Sequence, residues 1–139
     1  MAGYPTASCA QDVLDYATGR AVRHTAPFQT YVALLTSPPP SNATIAQLSE
    51  VTTPGYARQP ATWSPATATT PSSTSNATVI TFGPMTSDME AEATYVALVT
   101  AAVGTDGEVR LVCQLNSGQQ ALAGQALQFG IGKLTFTTQ

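Results

Sequence analysis

The pattern of apolar and polar positions predicts one helix near the start of the chain, followed by a series of short strands. Between Ser8 and Thr18 the apolar residues recur at helical spacing. Cys9, Val13, Leu14, Tyr16 and Ala17 fall near one face, with Asp12 and Asp15 turned away, so that face is expected to lie on the rest of the protein. Ser8 and Gln11 have the spacing of a capping box and Gly19 supplies a stop, which bounds the helix at 8–19. Residues 1–7 contain Tyr4-Pro5 and show no period. They read as an arm that stays mobile until a neighbouring subunit orders it.

Beyond the helix the pattern shifts to short β segments separated by turn chemistry, the signature of a sandwich or barrel. Thr30 to Thr36 is the first strand, ended by Ser37-Pro38-Pro39-Pro40 because proline cannot continue a ladder. Ile45 to Val51 has room for one helical turn, and a second strand is placed from Tyr56 to Trp63. Ser64 to Asn76 is almost all Thr, Ser, Ala and Pro, a polar loop crossing the sheet edge. Ala77 to Phe82 is a strand closed by Gly83-Pro84. Thr94 to Val103 and Glu108 to Leu115 form a hairpin through Gly104-Thr105-Asp106-Gly107, since Asp-Gly suits the positive φ of a tight turn. Within it Val109, Leu111, Cys113 and Leu115 alternate with polar residues and are assigned to one core face.

The last strand region contains a change of parity. Leu127, Phe129 and Ile131 share one parity, Leu134 and Phe136 the other, with Gly130 and Gly132 between them. One extra residue is expected there, a bulge that shifts the register so that both apolar sets reach the same core; the alternative is a strand that changes sheets. The heptapeptide from Thr30 to Thr36 recurs, one residue altered, from Thr94 to Thr100, which suggests two core strands in equivalent environments. The fold class is therefore mainly β: a single antiparallel β-sandwich, Ig-like or jelly-roll-like, of about seven strands with one N-terminal α-helix. Residues 8–139 form one domain behind the arm.

Composition narrows the function. The chain has 139 residues, enough for one core. Charged residues make up only 9%, against a typical ~25%. Their place is taken by Thr, Ser, Asn and Gln, whose hydroxyls and amides are dehydrated more cheaply than ions, so the surface suits coverage by other subunits and self-association. A formal charge of −3 leaves no basic face for phosphates, which argues against nucleic-acid binding. No apolar run is long enough for a membrane span and the first twenty residues lack a secretory pattern. Cys9 and Cys113 match no metal or redox spacing and are expected as reduced, buried thiols.

Candidate chemistry is sparse. His24 follows Arg23 with no nucleophile motif nearby, and no phosphate loop, dinucleotide fingerprint or zinc-peptidase motif occurs, so catalytic, cofactor-binding and metal residues are all expected to be none. Asp88, Glu90 and Glu92 lack the Gly and closing Glu of a calcium loop and read as a solvated acidic stretch. Asn42-Ala43-Thr44 and Asn76-Ala77-Thr78 are glycosylation sequons by letter only. Gly55-Tyr56-Ala57-Arg58-Gln59 with Trp63 stands apart, because Arg, Tyr and Trp are enriched at interface hot spots. Tyr56, Arg58, Gln59 and Trp63, with Tyr4 of the arm, are the candidate interface. The competing reading buries Tyr56 and Trp63 and pairs Arg58 with Glu50.

The order of helix, Pro27-Phe28-x-Thr30-Tyr31-Val32-Ala33-Leu34, the Gly55 to Gln59 run, Ala77 to Phe82, a strand pair and Gly124-x-Ala126-Leu127-x-Phe129 resembles a family of small tailed-bacteriophage virion proteins. Members are labelled tail fibre, minor tail or head decoration proteins. The resemblance spans nearly the whole chain, and it implies a β-sandwich structural protein of the virion, without catalysis and made in the host cytoplasm. The expected role is a capsid decoration, or cement, protein that binds the major capsid protein on the capsid surface and gains strength from many weak copies on a lattice. The alternatives are a tail or tail-fibre component with tail proteins as partners, and a lectin-like module in which Tyr56 and Trp63 stack on sugar rings.

Overall fold

A computed structural model of the chain describes residues 3–20, 28–69 and 71–138. The strands β1 (Gly3–Pro5), β2 (Thr30–Leu35), β3 (Gln59–Ala61), β4 (Ser72–Ser75), β5 (Ile80–Phe82), β6 (Ala93–Val99), β7 (Val109–Gln119), β8 (Leu127–Phe129) and β9 (Thr135–Thr138) accompany one helix, α1 (Ala7–Ala17), and a 3₁₀ turn at Ile45–Gln47. The chain is thus mainly β, as its pattern predicted. Among the described residues there are nine strands where about seven were expected, because two of them are too short or too polar to show a period. Seven of them form one sheet in the order β3-β2-β6-β7-β1-β9-β4, and β5 pairs with β8 in a second, two-stranded sheet. All pairings are antiparallel except β1 with β9, which is parallel.

The two near-identical heptapeptides become neighbours in the sheet. β2 and β6 run antiparallel with Ala33 opposite Ala97, so Val32 faces Leu98 and Leu34 faces Val96. Antiparallel pairing about the two alanines exchanges like positions, and this is why similar strings serve both strands. Val32, Leu34, Val96 and Leu98 look into the larger core, around Phe82, Met85 and Met89. Leu35, Ala97 and Val99 look into a smaller one behind the sheet, closed by Ile45. Burial on both faces explains the nearly unbroken apolar runs.

The hairpin from β6 to β7 forms, but its loop is longer than the Asp-Gly signal implies: Glu108 returns to Thr100 through the carbonyl of Glu108 (3.1 Å) and the Thr100 hydroxyl (2.9 Å). The ladder steps from Leu98–Leu111 to Val99–Val109, leaving Arg110 as the extra residue. That bulge reverses parity, so Val109 joins Val112 in the smaller core while Leu111, Cys113 and Leu115 face the larger one. The single face assigned to all four is corrected accordingly. At the other parity change the chain switches sheets and does not form the expected bulge: β8 ends at Phe129, a turn runs from Gly130 to Lys133 (3.1 Å), and β9 begins in the seven-stranded sheet. Ile131, at the tip of this turn, is exposed.

Two polar segments hold places in the sheet that their composition did not announce. Gly3–Pro5, expected to be a mobile arm, lies between β7 and β9, with Gly3 opposite Cys113 and Tyr4 opposite Val112. Three residues are too few to display a period, and what holds them is backbone hydrogen bonding on both sides. Ser72–Ser75, expected to be loop, pairs with β9 from Ser72 opposite Thr138 to Ser75 opposite Thr135. On its far side Ser64 donates to Ser75 (2.8 Å) and Thr67 to Ser73 (2.9 Å). Because β3 pairs with β2 a few residues earlier, the stretch 59–67 borders both ends of the large sheet.

The helix starts one residue earlier than predicted and is capped by Thr6, whose hydroxyl accepts from the Cys9 amide (3.4 Å) and donates to the Val109 carbonyl (2.6 Å). Thr6 leads because β1 delivers the chain to this point already bonded to β7, with its own amide on the Arg110 carbonyl (2.9 Å). Gly19 ends the helix at φ 79°, as expected.

Candidate interaction surface

Loops around one end of β2 bring together Tyr56, Arg58 and Glu50, whereas Trp63 lies by Thr30 at the other end and Tyr4 lies in β1. Gly55 has a positive φ, and a Cβ there would sit 2.5 Å from the Pro84 carbonyl oxygen and 2.9 Å from the Thr86 nitrogen. Glycine is needed for the 55–58 loop to lie against 84–86, where Thr86 donates to the Pro54 carbonyl at 2.9 Å. Tyr56 then stacks on Phe82, with ring centroids 5.9 Å apart, and its hydroxyl donates to Glu50 Oε2 (2.6 Å) while accepting from the Leu34 amide (3.1 Å). Arg58 meets the same carboxylate in a forked pair, Nε to Oε2 at 2.9 Å and Nη2 to Oε1 at 2.8 Å. Its Nη1 reaches the carbonyls of Ala101 (3.1 Å) and Gly104 (2.9 Å) in the β6–β7 loop.

The electrostatics follow from this geometry. Burial, and then the bond to Glu50, push the Tyr56 hydroxyl well above the usual phenol range, so it stays a donor. The bond to Glu50 holds the Arg58 guanidinium above its ordinary value against the opposing effect of burial. Arg58 is 8% exposed and Glu50 20%, so the pair is largely dehydrated but satisfied at several points.

The structure therefore assigns Arg58 to the intrachain pairing with Glu50 and removes it from the set of side chains free to meet a partner. Trp63 makes a T-shaped contact with Phe136 (5.3 Å) and donates to the Thr30 hydroxyl (3.2 Å), while Tyr56 stacks on Phe82; both rings are half-buried and packed against the larger core. Gln59 is half-buried in the edge strand β3, donating to the Ala57 carbonyl (3.1 Å), and Tyr4 takes part through its backbone in β1. His24 and Arg23 lie outside the described residues.

Beside Glu50 the loops leave a cleft of about 250 Å³, lined from residues 50–54 and 87–91, with Thr36 also in its lining. Glu50, Thr52, Thr53, Ser87, Asp88 and Glu90 turn it polar. Asp88 Oδ1 accepts from the Ala123 amide (2.8 Å), which fixes that wall to the turn before β8. Among the described residues no hydrogen bond or ion pair uses the hydroxyls of Thr52, Thr53 and Ser87 or the carboxylate of Glu90. No lining residue is cationic. Among the described residues no three His, Cys, Asp or Glu side chains converge as metal ligands. The hydroxyl and carboxylate content of 50–54 and 87–91 was visible in sequence, but their meeting was not, since the segments are joined only by the tertiary fold.

The exposed face of α1 runs against the sequence reading, whereas the burial of Asn76 agrees with it. Val13 and Leu14, assigned to the packed face of α1, are 57% and 64% exposed, and Tyr16 is exposed with them. The helix is held instead by its Thr6 cap, by Asp12 on Arg110 (2.7 Å) and by the Ala7 amide on the Ser41 carbonyl (3.0 Å). The ion pair is partly solvated, so its contribution is modest. Asn76, dismissed as a chance sequon, is 1% exposed. Its amide donates to the carbonyls of Thr78 (2.8 Å) and Gly130 (2.9 Å) and its oxygen accepts from the Leu134 amide (2.9 Å), joining the loop before β5 to the turn before β9. An asparagine so enclosed is no glycan acceptor in the folded chain. Cys113 is fully buried, and burial pushes its thiol up to about 11; Cys9 is half-buried, with its thiol also raised by burial.

Among the described residues no helix is long and apolar enough to cross a membrane. A family model described as Podophage GP4 fiber I protein gp80 matches residues 5–137, from the end of β1 into β9. No curated protein matches the chain.

Proposed function

The chain belongs to the podophage GP4 fiber I protein gp80 family, a family of phage virion structural proteins, and from that premise we propose that it is a non-enzymatic component of a tail fibre. The observation that carries this reading is the extent of the match, residues 5–137, to a family whose description names a fibre. The same description favours the tail-fibre alternative over the capsid-decoration role expected from sequence, and tail proteins over the major capsid protein as partners. The structure is compatible with a packing role: the surface is poor in charge, and the exposed apolar side chains of α1 can be covered by another subunit. Function then rests on surfaces that hold neighbours rather than on bond making.

The test is location and copy number on the virion. Immunogold labelling with antibodies against the chain should decorate fibres at the tail, and quantitative mass spectrometry should count a few to tens of copies per particle. Label spread over the head, at hundreds of copies, returns the capsid-decoration reading. Incubation of the purified protein with host envelope polysaccharide should release no reducing ends; steady release overturns the non-enzymatic role.

A further inference from the structure

We infer that the cleft beside Glu50 is a binding site for one ring of an amine-bearing sugar. The inference rests on the fibre reading, because it supplies a contact for a component working at the host surface, and it names a site whose lining includes neither Tyr56 nor Trp63. At about 250 Å³ the cleft is just below the roughly 300–1,000 Å³ of sites for drug-sized ligands, the scale of a single ring.

The lining chooses the chemistry. Thr52, Thr53 and Ser87 line the cleft, no group of the described chain uses their hydroxyls, and each hydroxyl can both donate and accept. Vicinal hydroxyls on a pyranose complement such an array, since each also donates and accepts. Three carboxylates line the same space, but they are not equivalent: Glu50 is matched by Arg58, whereas Asp88 receives only the Ala123 amide and Glu90 has no partner among the described residues. The uncompensated charge favours a cationic substituent and opposes a uronic or phosphorylated sugar.

The walls are set before any ligand arrives. Arg58 and Tyr56 fix the Glu50 carboxylate, the Thr86 to Pro54 bond and the close approach at Gly55 lock one loop on the other, and Asp88 is tied to Ala123. A preformed site loses little freedom on binding. With few contacts per ring, a Kd in the millimolar range is expected for one sugar.

The experiment is a two-dimensional amide NMR titration of the full chain at mildly acidic pH with glucosamine, N-acetylglucosamine, glucuronic acid and methylammonium at matched ionic strength. Glucosamine should shift amides of residues 50–54 and 87–91, with affinity at least about threefold above the acetylated sugar and about threefold weaker at high salt. Glucuronic acid and methylammonium should leave those amides unmoved. Glu90→Gln and Ser87→Ala, at exposed positions with no internal partner, should each raise Kd about fivefold while the melting temperature holds. Equal response to methylammonium reduces the site to a nonspecific cation contact and overturns the proposal. So do shifts elsewhere, equal binding of glucuronic acid, or unchanged affinity in both variants. A negative titration leaves the fibre assignment standing, whereas label on the head leaves a positive titration standing, so the two ideas fail separately.

Discussion

Asn76 and Arg58 are both polar side chains that tie loops to the β framework, yet they do so in opposite surroundings. Asn76 is neutral and sealed off, and its three side-chain hydrogen bonds all end on backbone groups of loops that bring the chain into β5 and β9. Arg58 is charged, pairs with a glutamate that lines a cleft, and shares its bonds between that carboxylate and two loop carbonyls. Removing the first leaves the buried Leu134 amide without its acceptor, whereas removing the second leaves Glu50 beside an open cleft that can rehydrate it. The contrast teaches that conspicuousness in sequence and commitment to the fold are separate properties. Arg58 stands out as one of five basic residues, whereas Asn76 hides in a Thr-rich tract.

That comparison can be broken by experiment. Asn76→Ala strands the buried Leu134 amide, opens a cavity and unties the Thr78 and Gly130 carbonyls, and should cost about 3 kcal/mol, lowering Tm by roughly 10 °C in thermal unfolding. A loss below about 1 kcal/mol would mean that water reaches the site. Arg58→Ala should cost about 2–3 kcal/mol and speed hydrogen exchange in the 101–107 loop, with Arg58→Lys recovering only part, because an ammonium cannot fork onto Glu50. If Arg58→Ala left stability intact yet blocked incorporation into particles, the interface role would return.

Gly55→Ala should cost about 2 kcal/mol in urea unfolding, since it forces a side chain into a positive-φ position against the 84–86 backbone. The smallest effect is expected at the apolar exterior: Val13→Ser with Leu14→Ser should change stability of the isolated chain by less than about 1 kcal/mol, because both side chains are already in water. Reduced incorporation of this variant into virions would show that the helix face is covered there.

Much of the fold was legible because it depends on local chemistry. The β2 and β6 strings, the β6–β7 hairpin and the end of α1 at Gly19 follow from apolar runs buried on both faces and from glycine's access to positive φ. Even the change of sheet between Phe129 and Leu134 left its mark as a parity break, although the break by itself favours a bulge and only the pairings show the change of sheet. Pairing that relies on the backbone left no such mark. Gly3–Pro5 and Ser72–Ser75 enter the sheet through main-chain groups that every residue type carries, so no pattern of side chains announces them. The same holds for the site. Sequence by itself supplied Arg58, Tyr56 and Glu50 as possible partners, and the hydroxyls and carboxylates of two separate loops. Only the tertiary structure decided that the arginine turns inward while those loops meet across a cleft, because burial and proximity between distant segments are set by packing of the whole chain.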